Sequence, residues 1–305
     1  MKHQAQPFLK WAGGKRQLLS EIESRLPEGL KDGSIKRYVE PFAGGGAVLF
    51  YVQSHYHPEE CHIFDQNREL SLVYSVVQKD VERLIEHLKV SEEEYLALDE
   101  SHRSEYFYSV RKRFNEAGEK TDFSSYTRDH AQRAADMIFL NRTCFNGLFR
   151  VNSGGGFNVP HGRYNKPHIM NEDVLRVDSL ALRNTEIHHG DFSECRELTG
   201  KEAFFYFDPP YRPINRTSSF TNYSRYGFDD DDQRRLAELY RNLDASGASL
   251  MLSNSDPRNG DPEDDFFDDL YSGYSIDRVP ARRLINSDAS GRGAINELLI
   301  TNYPF

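Results

Sequence analysis

Asp208-Pro209-Pro210-Tyr211 follows the wholly apolar run Ala203–Phe207. A carboxylate and a stiff double-proline turn therefore stand where a buried strand reaches the edge of its sheet, the end at which open α/β folds bind ligands. An exocyclic nucleobase amine such as adenine N6 is a poor nucleophile because its lone pair is delocalised into the ring. The Asp208 carboxylate can accept one N–H of such an amine and the Pro209 carbonyl the other. Two acceptors hold the nitrogen and favour a transition state in which positive charge develops on it. Pro209 and Pro210 stiffen the turn and present carbonyls without competing N–H donors. Tyr211 supplies a flat face on which an extruded base can stack. Taken alone, the same four residues also describe a Pro-Pro turn that packs a tyrosine, since short motifs misfire.

A second constellation lies in Glu-Pro-Phe-Ala-Gly-Gly-Gly-Ala-Val-Leu-Phe, residues 40–50. It reads as a strand end, a glycine cluster and a helix start. Gly44, Gly45 and Gly46 let a ligand approach the backbone, and the helix that follows offers unpaired N–H groups. Asp65 closes the next strand, where an acidic side chain can take both hydroxyls of a ribose. The pattern is not GxGxxG, which sets a nicotinamide dinucleotide aside.

These residues need elements to hold them. Helical spacing of apolar residues runs over 15–26. Strand, Gly-rich turn and helix follow at 36–56, then a strand at 61–65 and a helix from 67. That alternation opens a parallel sheet. From Asp80 to Asn141 the spacing is almost all helical, and 145–167 is loop or hairpin, with two β-prone pieces flanking Ser153–Gly156. Alternation resumes after Glu186, with strands at 185–189, 203–208 and 248–253, a helix over 229–243, and later strands at 274–279 and 295–303. The expected fold is α/β, a core of residues 1–79 and 168–305 split by an inserted helical and β-hairpin domain over 80–167.

With the double-proline motif and the glycine turn in one sheet, the chain resembles the Dam-type DNA adenine N6-methyltransferases, the alpha-group, D12-class enzymes that recognise GATC. The resemblance runs nearly end to end. It rests on 8–15 (FLKWAGGK), 40–50, 145–164 (FNGLFRVNSGGGFNVPHGRY), 190–192 (GDF), 206–211 (YFDPPY) and 252–255 (LSNS), in the alpha-group order. It implies that the α/β core is a Rossmann-like methyltransferase sheet forming the catalytic domain, and that the helical and β-hairpin insert is a target-recognition domain. It also implies S-adenosyl-L-methionine as cofactor. Trp11 and Lys15 would belong to the N-terminal cofactor motif. Phe42 and the Gly44–Gly46 turn would border the methionine part, Asp65 would bind the ribose, and Asp191 and Phe192 would sit at the cofactor adenine. Asp208 would lie between cofactor and substrate, within a catalytic set of Asp208, Pro209, Pro210 and Tyr211.

The resemblance also implies how DNA is read. Arg150 would make a bidentate contact to a guanine. Leu148 and Pro160 would touch a thymine methyl. Phe145, where the family often has tyrosine, would wedge into the stack as the target adenine leaves, and Asn146 would pair with the orphaned thymine. Lys10 would contact the first guanine, and Arg163 would hold phosphate, which positions without specifying.

Charge sits unevenly. The formal net charge is -10, which by itself disfavours a polyanionic partner. Between Arg128 and Lys166, however, six cations (Arg128, Arg133, Arg142, Arg150, Arg163, Lys166) face two anions, a local +4, and a basic face on an acidic body can bind DNA. The acidic runs at 229–232 and 256–269 read as solvated surface. Cys61, Cys144 and Cys195 are far apart, which speaks against a disulfide framework and for a reducing cytoplasm. No Pro-Cys nucleophile is present, in keeping with direct displacement. The histidines, His188-His189 included, lack ligand-spaced partners, so no metal is expected. No apolar run is long enough for a membrane span, and the N-terminus has no signal core. The expected partner is double-stranded DNA, bound by a cytoplasmic monomer that joins the nucleoid on its DNA, with a cognate restriction endonuclease acting at the same site as a further partner. Three rivals are open: an RNA adenine methyltransferase, a protein glutamine methyltransferase (whose motif usually begins with Asn, not Asp), and a DNA-binding module without catalysis.

Overall fold

A computed structural model of the protein describes residues 4–118, 120–212, 227–282 and 294–305. In chain order its regular elements begin with α1 (Leu19–Ser24), α2 (Glu28–Lys31), β1 (Arg37–Glu40), α3 (Ala47–His55), β2 (Glu60–Asp65) and α4 (Arg68–Lys79). Then come α5 (Val81–Ala97), α6 (Glu100–Gly118), α7 (His130–Thr143), α8 (Glu172–Ala181), β3 (Thr185–His189) and β4 (Ala203–Phe207). The last are α9 (Asp230–Ala245), β5 (Ser249–Ser255), α10 (Phe266–Leu270), β6 (Ser275–Arg282) and β7 (Ala294–Thr301). This is the α/β Rossmann-like fold expected of the sequence. The chain forms two compact units, one of Met1–Gly14, Gly44–His55 and Asn67–His189, the other of Lys15–Ala43, Tyr56–Gln66 and Gly190–Phe305.

In the second unit six strands run in the order β2-β1-β4-β5-β7-β6. The first four are mutually parallel, and β7 is antiparallel to both β5 and β6. β4, Ala-Phe-Phe-Tyr-Phe, is buried along its whole length, as a central strand covered on both faces must be. Its Phe205 and Phe207 join Tyr240, Leu236 and Leu243 of α9 in one apolar core. α9 begins in a capping box: Asp229 accepts from the Asp231 and Asp232 N–H groups, and Asp232 reaches back to the Asp229 N–H. Acidic residues there also favour the positive end of the helix.

The acidic runs are solvated surface only in part: Asp229, Asp231, Asp261, Asp265 and Asp269 are exposed, but other members are not. Asp230 and Asp264 both pair with Arg212, and Asp256 is buried against Arg278. A charge run in sequence carries no record of arginines that approach it from elsewhere in the chain.

The first unit carries α3–α8, β3 and the hairpin. The expected helical stretch is α5, α6 and α7. α7 is buried along nearly every residue, and its Arg133 makes a bidentate pair with Glu69 of α4 at 2.6 and 2.8 Å. Arg133 therefore leaves the set of cations expected on a basic face, whereas Arg128, Arg150, Arg163 and Lys166 are exposed. The hairpin forms, but as an isolated bridge between Val151 and Phe157 rather than paired strands. Its turn closes through Asn152 N–H to Gly156 O at 2.9 Å and Asn158 N–H to Arg150 O at 3.0 Å. Three glycines at the tip leave too few side chains to extend a ladder.

Candidate functional site

Parallel register sets up the candidate catalytic end in the second unit. Phe207 stands opposite Leu252, so the next residues out, Asp208 and Ser253, are neighbours. Ser253 Oγ donates to Asp208 Oδ1 at 3.1 Å. Lys15 Nζ lies 2.6 Å from the same oxygen, with the lysine side chain 5 % and the carboxylate 20 % exposed. Burial raises the Asp208 pKa from the ordinary carboxylate value, while the Lys15 charge and the Lys15 and Ser253 hydrogen bonds oppose that rise. Lys15 Nζ also sits 4.5 Å from the centre of the Tyr211 ring, close enough for a cation–π contact.

The turn beyond Asp208 is held by polar side chains. The Tyr211 hydroxyl donates to Glu297 of β7, and burial pushes the Tyr211 phenol well above its usual pKa. Gln233 of α9 donates to the Pro210 carbonyl at 3.2 Å and accepts from Asn254 at 3.3 Å. The Arg212 guanidinium lies between Asp230 and Asp264, 4.3 Å from the centre of the Phe266 ring. Among the described residues the Pro209 carbonyl accepts no hydrogen bond. The turn is thus fixed on both sides of an Asp208 carboxylate and Pro209 carbonyl pair, an arrangement that suits binding one amine through two acceptors.

Asp65 ends β2 at the same edge, half-buried, with its carbonyl accepting from the Gly190 N–H at 3.2 Å. Asp191 caps the following 3₁₀ turn, accepting from Ser193, Gln66 and Arg235. Phe192 is buried, stacked on Phe42 with ring centres 5.3 Å apart, and Arg235 lies 5.0 Å from its centre.

In the first unit the glycine turn is shaped by contact. Gly44 and Gly46 have φ of 47° and 69°, the region that disfavours a side chain. A Cβ at Gly44 would stand 3.1 Å from Trp11 Cδ1, and one at Gly46 would stand 2.5 Å from the Tyr74 hydroxyl oxygen. That hydroxyl donates to Gly44 O at 3.0 Å. Trp11 stacks on Phe149, ring centres 5.7 Å apart and planes at 22°. A backbone without Cβ atoms, edged by an indole, is compatible with a flat or extended cofactor.

The same unit gathers the residues expected to read DNA. Lys10, Phe145, Asn146, Arg150, Pro160 and Arg163 are exposed and Leu148 is half-buried. Phe145 leaves 52 % of its surface accessible, unusual for a large apolar ring. Asn146 adopts φ 55° and its N–H donates to Tyr164 Oη at 3.0 Å. Arg150 Nε donates to Asn158 Oδ1 at 2.8 Å, which orients the guanidinium through its inner edge.

Asn141, Tyr164, Ser253, Asn254, Gln233, Arg212 and Glu297 join these sites without being candidates from the sequence. Tyr164 falls within the family-like 145–164 segment and Ser253 and Asn254 within 252–255; the others carry no motif. A different correction concerns His188, whose Nε2 lies 3.7 Å from Glu186 Oε2, two positions back on the same face of β3. The three cysteines are buried free thiols. Burial pushes Cys144 up to about 11 and Cys195 up to about 12, so both stay protonated and poorly nucleophilic.

Among the described residues no helix is long and apolar enough to cross a membrane. The family model described as D12 class N6 adenine-specific DNA methyltransferase matches residues 11–285. A type II methyltransferase of Methanocaldococcus jannaschii, M.MjaIII, is 52 % identical over 301 residues, 98 % of this chain and 100 % of the relative. M1.LlaDCHI of Lactococcus lactis subsp. cremoris is 36 % identical, over 97 % of this chain and 95 % of its own. The DNA adenine methylase of Vibrio cholerae serotype O1 is 32 % identical, over 96 % and 94 %.

Proposed function

Because this chain belongs to the D12-class N6 adenine-specific DNA methyltransferases, we propose that it methylates adenine N6 within GATC in double-stranded DNA, acting on a base flipped out of the helix. Family membership makes it an adenine-specific DNA methyltransferase and removes the RNA, glutamine and non-catalytic rivals. The observation that supports transfer to the N6 of an extruded adenine is the Asp208 carboxylate, fixed by Lys15 and Ser253 beside a braced Pro209-Pro210-Tyr211 turn.

S-adenosyl-L-methionine, when bound, would supply an electrophilic methyl group that N6 takes by direct displacement, with S-adenosylhomocysteine as the leaving group and the N6 proton released to solvent. Asp208 and the Pro209 carbonyl accept the two N6 hydrogens and orient the lone pair towards that methyl. Tyr211 stacks on the flipped adenine, its hydroxyl anchored to Glu297 so that the ring face is preset. Lys15 keeps the carboxylate ionised and aimed. Trp11, Lys15, Phe42, Gly44, Gly46, Asp65, Asp191 and Phe192 bind or border the cofactor, and Asp191 does so by capping the turn that carries Phe192. Phe145 fills the space left by the flipped base, at a flipping cost of a few kcal/mol. Asn146 meets the orphaned thymine, Leu148 and Pro160 a thymine methyl, Arg150 and Lys10 guanines, and Arg163 a phosphate. Residues 80–167 then form the recognition domain of a monomer working in the cytoplasm, on the nucleoid, and a restriction endonuclease of the same specificity is its expected companion.

The test is to express the chain in a host free of DNA methylation and map modified bases on plasmid DNA. N6-methyladenine confined to GATC supports the reading, and its loss with Asp208→Ala ties it to this site. Methyladenine in another sequence would sink the GATC assignment while leaving the chemistry.

A further inference from the structure

Asn141 lies in the last turn of α7 and is fully buried. Its amide oxygen accepts from the Lys10 N–H at 2.8 Å, and its amide nitrogen donates to Lys10 O and to Gly147 O, each at 2.8 Å. One side chain thus grips both backbone polar groups of Lys10 and the carbonyl of the Asn146-Gly147 turn. Buried amides left unpaired are costly, so the three bonds hold both segments to one place on α7.

The two segments also fit each other directly. Gly147 has φ 64°, and a Cβ there would come 2.4 Å from Lys10 Cδ and 2.7 Å from Lys10 Cβ. The lysine stem occupies the space that a side chain would need. Tyr164 makes a second tie, accepting from the Asn146 N–H at 3.0 Å while Lys10 Nζ lies 4.9 Å from the centre of its ring. Partial burial, with the Arg142 charge nearby, lowers the Lys10 pKa.

We propose that Asn141 is a specificity-determining positioning residue: it locks Lys10 and the 145–150 recognition loop into one rigid reading head, so that DNA positions read from the N-terminal arm and from the loop are discriminated together. The inference rests on the proposed roles of Lys10 and the loop at base edges. Asn141 itself touches no DNA. It acts by removing the slack that would let each segment settle on a wrong base independently, because base readout depends on donors placed to within a fraction of an ångström.

The experiment compares methylation of a GATC duplex with duplexes substituted at each position, at matched salt, for wild type, Asn141→Ser, Lys10→Ala and the double variant. S-adenosylhomocysteine affinity and thermal melting are followed in parallel. Asn141→Ser should lower discrimination roughly tenfold, the scale of one well-placed base contact, both at the position read by Lys10 and at those read by the loop, with cofactor affinity unchanged. In the Lys10→Ala background it should cost little more at the position read by Lys10, because coupled residues are not additive. Gly147→Ala keeps the Asn141 side chain but crowds the Lys10 stem at the same joint, and should give the same paired loss if Asn141→Ser does not fold. Additive losses, or an equal loss on every sequence, would overturn the proposal. A wild-type enzyme that discriminates nowhere would instead overturn the reading of Lys10 and the loop on which it stands.

Discussion

Lys15 Nζ and Asp208 Oδ1 are 2.6 Å apart in a pocket that leaves the lysine 5 % exposed. Lys15 leads into α1 and Asp208 leaves β4, so the pair forms only when the second unit is folded. A buried charge stripped of its partner costs about 3–5 kcal/mol, so each residue needs the other for stability as well as for any chemistry at Asp208.

That pairing shapes the pH profile. Asp208 must be ionised to accept from N6, and its folded-state pKa lies above the ordinary carboxylate value because of burial. Activity is therefore lost as pH falls through a pKa higher than that of a solvated aspartate, and kcat/KM should show an acid limb displaced upward. Ser253→Ala removes a hydrogen bond that favours the ionised form, so the limb should move to still higher pH. A limb that stays put in Ser253→Ala would separate the observed ionisation from Asp208.

Asp65→Ala should weaken S-adenosylhomocysteine binding tenfold or more, since a hydrogen bond to a charged group is worth about 1.5–3 kcal/mol. DNA affinity should change far less. Calorimetry with S-adenosylhomocysteine checks this, and an unchanged affinity removes Asp65 from the cofactor site.

Arg150→Ala should relax sequence choice by about 1–3 kcal/mol at one base pair. Asn158→Ala should give a milder version of the same change, because Asn158 Oδ1 holds Arg150 Nε at 2.8 Å. The readout is methylation of GATC against single-substituted duplexes at matched salt. Equal loss on all sequences, with a flatter salt dependence, would make Arg150 a phosphate anchor.

Gly46→Ala meets two obstacles: a φ of 69°, costing an L-residue about 1–2 kcal/mol, and the Tyr74 hydroxyl oxygen 2.5 Å from the new methyl. Melting temperature and cofactor affinity should both drop. Adding Tyr74→Phe relieves the contact but not the backbone strain, so it should restore part of the melting temperature. Full restoration would mean that the φ carries no cost.

The double-proline turn, the glycine cluster and the succession of strands and helices along the chain are legible in the sequence because each is a local signal: apolar runs of strand length, glycines where Cβ atoms cannot fit, a carboxylate at a strand end. The helical stretch and the hairpin position followed from spacing and turn chemistry in the same way. Only the tertiary structure decided which partners those residues meet. Lys15 reads locally as part of an N-terminal motif, yet its charge is spent on Asp208. Arg133 reads as one cation of a basic stretch, yet it is buried on Glu69. Asn141 reads as an ordinary helix residue, yet it joins Lys10 to Gly147. Asp230, Asp256 and Asp264 read as solvated acid, yet they hold arginines. Ion pairs and buried amides depend on contacts between distant segments, and the periodicity of a sequence encodes which face of an element is buried, not which polar group waits on the other side.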